Sequence, residues 1–276
     1  MKDDFVHITM KIRNQNVTGS ETRLNVKNGK SNNFLIDNGA FQDNENEEFT
    51  KEDYSMIDSV HLTHAHIDHS GGLAEMMKSK TIPVYGTAPT IALVPPMIND
   101  MYNVMKMRGR NITKDDELAL KVLSNNLREA KLYSKITSGN CEFTYLDNGH
   151  ILGASMIMMH AKDPYRGINL LFSGDYREEH PFIRTVGISQ YLKTNPIDLL
   201  VMECTYGDRD AHIPFSESVE MLEKILEEGI SKGGSILLGS FSIDRTPVLL
   251  MMINMIQMYN PKLASVPVYL DGKLSF

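Results

Sequence analysis

The stretch His64-Ala65-His66-Ile67-Asp68-His69 constrains this chain more than any other. In extended backbone alternate side chains share a side, so His64 and His66 point the same way, and a turn beyond them brings a carboxylate and a third imidazole to the same place. Imidazole and carboxylate donors at such spacing suit a divalent metal far better than a scatter of solvated or core histidines. Upstream, Ser59 to Thr63 reads as the end of a strand, and Gly71-Gly72 permits a sharp turn into a helix beginning near Leu73. The cluster therefore requires a fold in which strand end, ligand loop and helix follow one another.

Two further donors sit where strands end beside glycine: His150 in Gly149-His150-Ile151-Leu152-Gly153, and Asp175 in Phe172-Ser173-Gly174-Asp175-Tyr176. Taken alone each is an ordinary turn signal. His7, His61, His160 and His180 have no ligand-spaced partners and read as structural. Cys141 and Cys204 each lie in an apolar segment and read as buried free thiols.

The chain opens with strand-like segments at Phe5 to Ile12, Arg23 to Val26 and Phe34 to Ile36, with Asn28-Gly29 as a hairpin turn. From Thr90 to Lys135 apolar residues recur at helical spacing, with interruptions expected at Pro95-Pro96 and Gly109. Strands resume at Glu142 to Leu146, Met156 to His160, Leu170 to Phe172 and Leu199 to Met202, the last two continuously apolar as if buried on both faces. After Gly207 the order is helix (Ser216 to Ser231), strand (Ser235 to Leu238), helix (Thr246 to Met258) and strand (Val266 to Leu270), the rhythm of parallel βαβ units. Val219, Leu222, Ile225, Leu226 and Ile230 form one apolar stripe of the first of these helices, and Met251, Met252, Met255 and Met258 read most simply as core of the second.

With 276 residues, 42% of them hydrophobic, the chain is long enough for one large domain or two unequal ones. Met1-Lys2-Asp3-Asp4 begins no apolar signal core and no run reaches membrane-spanning length, so a cytoplasmic protein without membrane contact is expected. A net charge of -7 argues against a broad phosphate-neutralising surface, so any nucleic acid must be gripped locally. Lys106, Arg108, Arg110 and Lys114 form the one basic cluster and read as a solvated loop.

Asp37, the His64 to His69 cluster, His150 and Asp175 occur in the order of the motifs of the metallo-β-lactamase superfamily, which the chain resembles. The resemblance implies an α/β fold, an αββα sandwich holding two Zn2+ ions. His64, His66 and His150 would serve the first ion and Asp68 and His69 the second, with Asp175 bridging and Asp37 supporting the ligands. Met202-Glu203-Cys204-Thr205-Tyr206-Gly207-Asp208-Arg209 and His212 narrow this, because they resemble the signature of the β-CASP nucleases, with Cys204 in place of serine. Val17 to Ser20, Gly234 to Arg245 and Pro267 to Asp271 agree with that family as well, while Asn38, Ser240, Ser242 and Asp244 depart from it.

This resemblance implies a phosphodiesterase acting on RNA, with DNA as a second and less favoured substrate, through a metal-activated hydroxide, with Asp68 and Glu203 as catalytic residues and His212 in support. Residues 1–207 would form the metallo-β-lactamase domain without its return strands, and 208–276 the start of a parallel α/β β-CASP insertion. No histidine follows His212, so the second metal site is expected to be incomplete within this chain and to hold its ion more weakly. The alternative is a truncated, catalytically incompetent metal-binding subunit or interaction protein, with a second copy or a C-terminal partner as its company. A small-ester or lactam hydrolase fits less well, since such enzymes lack the Glu203 to His212 segment.

Overall fold

The computed structural model describes residues 6–13, 18–41, 53–162, 166–177, 179–185 and 187–272. The Phe5 end of the first expected strand and Val17 lie outside them. In chain order the elements are β1 (His7–Ile12), β2 (Thr22–Asn28), β3 (Lys30–Ile36), β4 (Ser59–His61), α1 (Ile67–Ser70), α2 (Leu73–Ser79), β5 (Val84–Gly86), α3 (Ala88–Met107) and α4 (Lys114–Asn126). There follow β6 (Leu127–Glu129), β7 (Lys135–Ser138), β8 (Cys141–Asp147), β9 (Ser155–Ala161), β10 (Ile168–Phe172), α5 (Ile188–Thr194), β11 (Leu199–Val201), α6 (Phe215–Ser231) and α7 (Arg245–Tyr259).

The residues fall into two compact units, Met1–Glu179 with Thr185–Glu203, and His180–Arg184 with Cys204–Phe276. In the first unit, one sheet runs β1-β2-β3-β4-β5-β6, antiparallel up to β3 and parallel from β3 onward. The other runs β11-β10-β9-β8-β7, antiparallel except for the parallel pair β10 and β11.

Alternation along the strands explains the layering. Val26, Phe34 and Ile36 of the first sheet meet Phe143, Tyr145, Ile157, Met159 and Phe172 of the second in a shared core. The residues between them face outward: Leu35, Val60, Leu62 and Val84 pack under α2, α3 and α4. Leu146, Met158 and Leu171 pack with Ile188, Tyr191 and Leu192 of α5. The unit is a helix, sheet, sheet, helix sandwich, as the motif order implies.

Several local expectations need correction. Helix α3 runs through Pro95 and Pro96 without a break. Thr90, Val94, Ile98 and Tyr102 form a buried stripe four residues apart, and this anchoring outweighs the loss of two backbone donors. The helical pattern also ends sooner, because Leu127–Glu129 and Lys135–Ser138 are strands. Strand β11 is an edge strand, with Leu199 44% and Leu200 47% exposed, and Cys204 is exposed although Cys141 is buried.

In the second unit α6 and α7 pack through Val219, Leu222, Met252, Ile253 and Ile256. Ile225 points to solvent, and of the methionine stripe only Met252 is buried. Segments 235–238 and 266–270 join no ladder among the described residues, and Leu237 is 96% exposed. The short 180–184 stretch is tied in by His180, whose Nδ1 accepts the backbone N–H of Phe182 and Ile183 while Nε2 donates to Asp244 Oδ1 at 2.9 Å. No helix among the described residues is long and apolar enough to cross a membrane.

Candidate metal centre

Strands β3 and β4 run parallel in one sheet, β8, β10 and β11 run the same way in the other, and each is followed within a few residues by Asp37, His64, His150, Asp175 or Glu203 respectively. The sheets thus deliver residues far apart in sequence to one end of the sandwich. Backbone bonds register the loops: Asp37 N–H donates to His61 C=O at 3.0 Å, and Ser155 N–H donates to Thr63 C=O at 2.9 Å across the two sheets.

Three imidazoles converge. His64 Nε2 lies 3.1 Å from His66 Nδ1, which lies 3.2 Å from His150 Nε2. A tetrahedral site with nitrogen donors roughly 2.0–2.1 Å from the ion has an edge of about 3.3 Å, so these separations fit a transition metal. A second group consists of His64, His69 and Asp175, with donor atoms within 4.8 Å of one another. Asp175 faces both groups: Oδ1 is 3.2 Å from His69 Nε2, and Oδ2 is 3.7 Å from His150 Nε2 and 4.0 Å from His64 Nε2. Asp68 Oδ2 stands 3.9 Å from His69 Nε2.

Electrostatics suit such a role. Burial, and then the charges of His69, His66 and His150, push the His64 pKa well below its usual value and keep the ring a neutral donor. Burial also opposes a charged His69, but the Asp37 and Asp175 carboxylates overcome it and raise that pKa well above normal. Asp68 is raised by burial and by Asp175, whereas Asp175 is lowered because its histidine neighbours outweigh its own burial.

Behind the donors, Asp37 accepts from Thr63 N–H at 2.8 Å and from Thr63 Oγ1 at 2.8 Å, and its Oδ2 meets His69 Nδ1 at 2.8 Å. It holds φ +59, a left-handed conformation that aspartate tolerates better than most residues. Gly174, at φ +55, lets the β10 loop approach Thr63, where an added Cβ would come within 2.6 Å of the threonine side chain. Thr63 and Asn148 were not singled out from the sequence, since neither is a ligand type. Their only signal is adjacency to His64 and His150.

Glu203 N–H donates to Ser173 Oγ at 3.1 Å, and Glu203 Oε1 accepts Tyr176 N–H at 3.4 Å, so this carboxylate sits beside the Asp175 loop. His212 belongs to the second unit, edge-on to Tyr206 with ring centroids 5.1 Å apart, and Arg209 lies over the same tyrosine.

Layering, strand-end loops and convergent donors together define a metallo-β-lactamase fold. The sequence model of the anti-Pycsar protein Apyc1 family matches residues 21–230, and the chain belongs to that family. The curated proteins it is similar to are β-CASP nucleases. Ribonuclease TTHA0252 of Thermus thermophilus is 30% identical over 94% of this chain and 56% of its own length. Endoribonuclease ysh1 of Schizosaccharomyces pombe is 29% identical over 82% of this chain and 29% of its own length. Transcription termination factor FttA of Methanosarcina mazei is 27% identical over 80% and 34%. The chain spans about a third of the length of the first curated relatives it matches. Among solved structures, the Rm3 metallo-β-lactamase aligns over 78% of this chain and 79% of its own, with 16% identity and a TM-score of 0.40.

Proposed function

We propose that this chain is a zinc-dependent phosphodiesterase that hydrolyses RNA in the cytoplasm. The observation that carries the reading is the convergence of His64 Nε2, His66 Nδ1 and His150 Nε2 at 3.1–3.2 Å, with Asp175 turned toward both donor groups. Nitrogen-rich tetrahedral donor sets favour zinc over magnesium or calcium, which take oxygen. RNA is favoured because relatives carry the names ribonuclease and endoribonuclease.

His64, His66 and His150 would hold the first ion, Asp68 and His69 the second, with Asp175 between them. When bound, such ions supply Lewis acidity toward a phosphoryl oxygen and acidify a nearby water. The chain's own part is positional. Asp68, its side chain 21% exposed, would accept a hydrogen bond from the attacking water and aim it. Asp37 and Thr63 lock the rings of His69 and His64 in orientation. Glu203 would hold the group that protonates the leaving oxygen, with His212 in support.

The decisive experiment incubates purified protein and Zn2+ with a chromogenic phosphodiester, single-stranded RNA and single-stranded DNA, with Asp68→Ala as control. Cleavage of RNA that the substitution abolishes supports the reading. Cleavage of DNA alone, or an intact substrate under Zn2+, Mn2+ and Mg2+, overturns it.

One observation favours a second reading, a metal-holding subunit without catalysis: His64 belongs to both donor groups, so the second contributes only His69 and Asp175 of its own, with Asp68 at 3.9 Å. Zinc binding without cleavage of any of the three substrates would select it.

A further inference from the structure

We propose that Asn148 is the positioning residue of this centre: its carboxamide sets the separation between His150 and Asp175. The inference rests on the metal reading above.

Asn148 follows β8 directly and is buried at 4% exposure. Its Oδ1 accepts the backbone N–H of His150 at 3.1 Å. Its Nδ2 donates to the carbonyls of Ser173 at 3.2 Å and Asp175 at 3.0 Å. One planar group therefore grips two loops, and each loop carries a donor residue. Those donors, His150 Nε2 and Asp175 Oδ2, stand 3.7 Å apart.

The tie matters because nothing in the sheet replaces it. The loops leave β8 and β10, which are not neighbours: β9 lies between them, so no strand ladder sets their spacing. One backbone bond also joins the loops, from Gly149 N–H to Arg177 C=O at 3.2 Å. That bond joins Gly149 and Arg177, on either side of the donor pair, whereas the amide contacts lie at His150 and Asp175 themselves.

Residue type is decisive as well. Of the side chains this size, only an asparagine presents two N–H donors and an acceptor in one plane. Aspartate has no donor, and serine has one. Turning the amide over would aim Oδ1 at two carbonyls and Nδ2 at an N–H, so its orientation is determined by its partners.

The test is zinc affinity measured by competition against a chromophoric chelator. Asn148→Ala removes the group. Asn148→Leu removes the hydrogen bonds while keeping the volume, and Asn148→Ser, with one donor and one acceptor, serves if leucine prevents folding. We expect Ala and Leu to weaken zinc 10–100-fold, the usual effect of losing an outer-shell partner, and Ser to weaken it less. A purely structural residue would instead lower the melting temperature of the metal-free protein and leave zinc affinity of the folded variants within twofold of wild type. That result overturns the proposal while leaving the metal centre standing. Wild-type protein that takes up no zinc overturns the metal reading itself, and the proposal with it.

Discussion

His61 lies flat against Phe143 between the two sheets, with ring centroids 3.6 Å apart and planes 17° apart. It also stacks on Tyr85 at 5.2 Å, with Phe34 edge-on at 6.3 Å and Tyr145 tilted at 6.2 Å. Its nitrogens meet Tyr145 Oη and Ser59 Oγ, each at 3.1 Å. A polar ring is thus stored, fully buried, in the strand that feeds the ligand loop.

Burial holds the His61 pKa at about 3, against 6.5 for an exposed histidine. The folded state therefore keeps it neutral over a range in which the unfolded chain takes up a proton. Its contribution is fully present above pH 6.5 and is lost progressively as pH falls from there toward 3. At about 1.4 kcal/mol per unit, wild type should lose about 2 kcal/mol more than His61→Phe between pH 7.5 and pH 5. Urea unfolding of both proteins at the two pH values measures this, and the remaining titrating groups cancel in the difference. Equal losses would mean that His61 is charged or solvated in the native state.

The shared use of His64 predicts unequal metal sites. After gel filtration in buffer without added metal, about one ion per chain should remain, and a second should bind only with zinc present in excess. His150→Ala should abolish the retained ion, a larger effect than the roughly 10–100-fold of an outer-shell change. Elemental analysis decides the matter, and two ions retained through the column would contradict it.

How much of this centre was legible follows from what each residue does. The His64 to His69 run announces itself because ligand types crowd into one short segment. His150 and Asp175 gain meaning only from their order after that run, since a glycine-flanked histidine or aspartate is otherwise a turn residue. Thr63 and Asn148 act through hydrogen bonds to backbone and to other side chains, and which partners a loop will present depends on the tertiary arrangement. The same limit appears in the fold. Pro95-Pro96 reads locally as a break, yet the buried stripe from Thr90 to Tyr102 carries the helix through. Segments 235–238 and 266–270 have strand-like apolar content, but hydrophobicity names a face to bury and not the partner that buries it.

Gly39 is predicted to tolerate no side chain. A Cβ there would lie 1.6 Å from the carbonyl oxygen of Asp68, and that neighbour is backbone. The two loops are also joined around this point by Ser20 N–H to Asp68 C=O at 2.7 Å and Gly39 N–H to Ser20 C=O at 2.8 Å. Gly39→Ala should cost at least the ~1–3 kcal/mol typical of overpacking. It should also displace Asp68, so that zinc affinity falls together with the melting temperature. Near wild-type values of both in the alanine variant would show that the loop relaxes freely.

Asp68→Ala should separate the reaction from retention of the first ion. Asp68 lies in neither of the two tightest donor groups, so the ion held by His64, His66 and His150 should stay bound. If Asp68 aims the attacking water, kcat on a phosphodiester should drop by about 10²–10⁴-fold with little change in KM. Single-turnover kinetics on protein of verified zinc content make the distinction, and an unchanged kcat would move the reaction away from this carboxylate.

Glu21 ties the first strands to the turn that carries Asp68. Its carboxylate, 1% exposed, meets Arg23 Nε at 2.7 Å, Arg13 Nη1 at 3.3 Å and Tyr54 Oη at 3.2 Å. Arg13 in turn donates to the carbonyls of Gly19 at 3.1 Å and Gly39 at 2.6 Å, the segments that pack on the Asp68 turn. Removing one partner of a buried ion pair leaves the other charge uncompensated, at a cost of about 3–5 kcal/mol. Glu21→Ala should show a loss of that order in urea unfolding. Arg13→Met should cost less, because Arg23 still neutralises the carboxylate, yet it should loosen the Gly39 loop and weaken zinc. A stability loss without any change in zinc affinity in Arg13→Met would confine the cluster to holding the fold together.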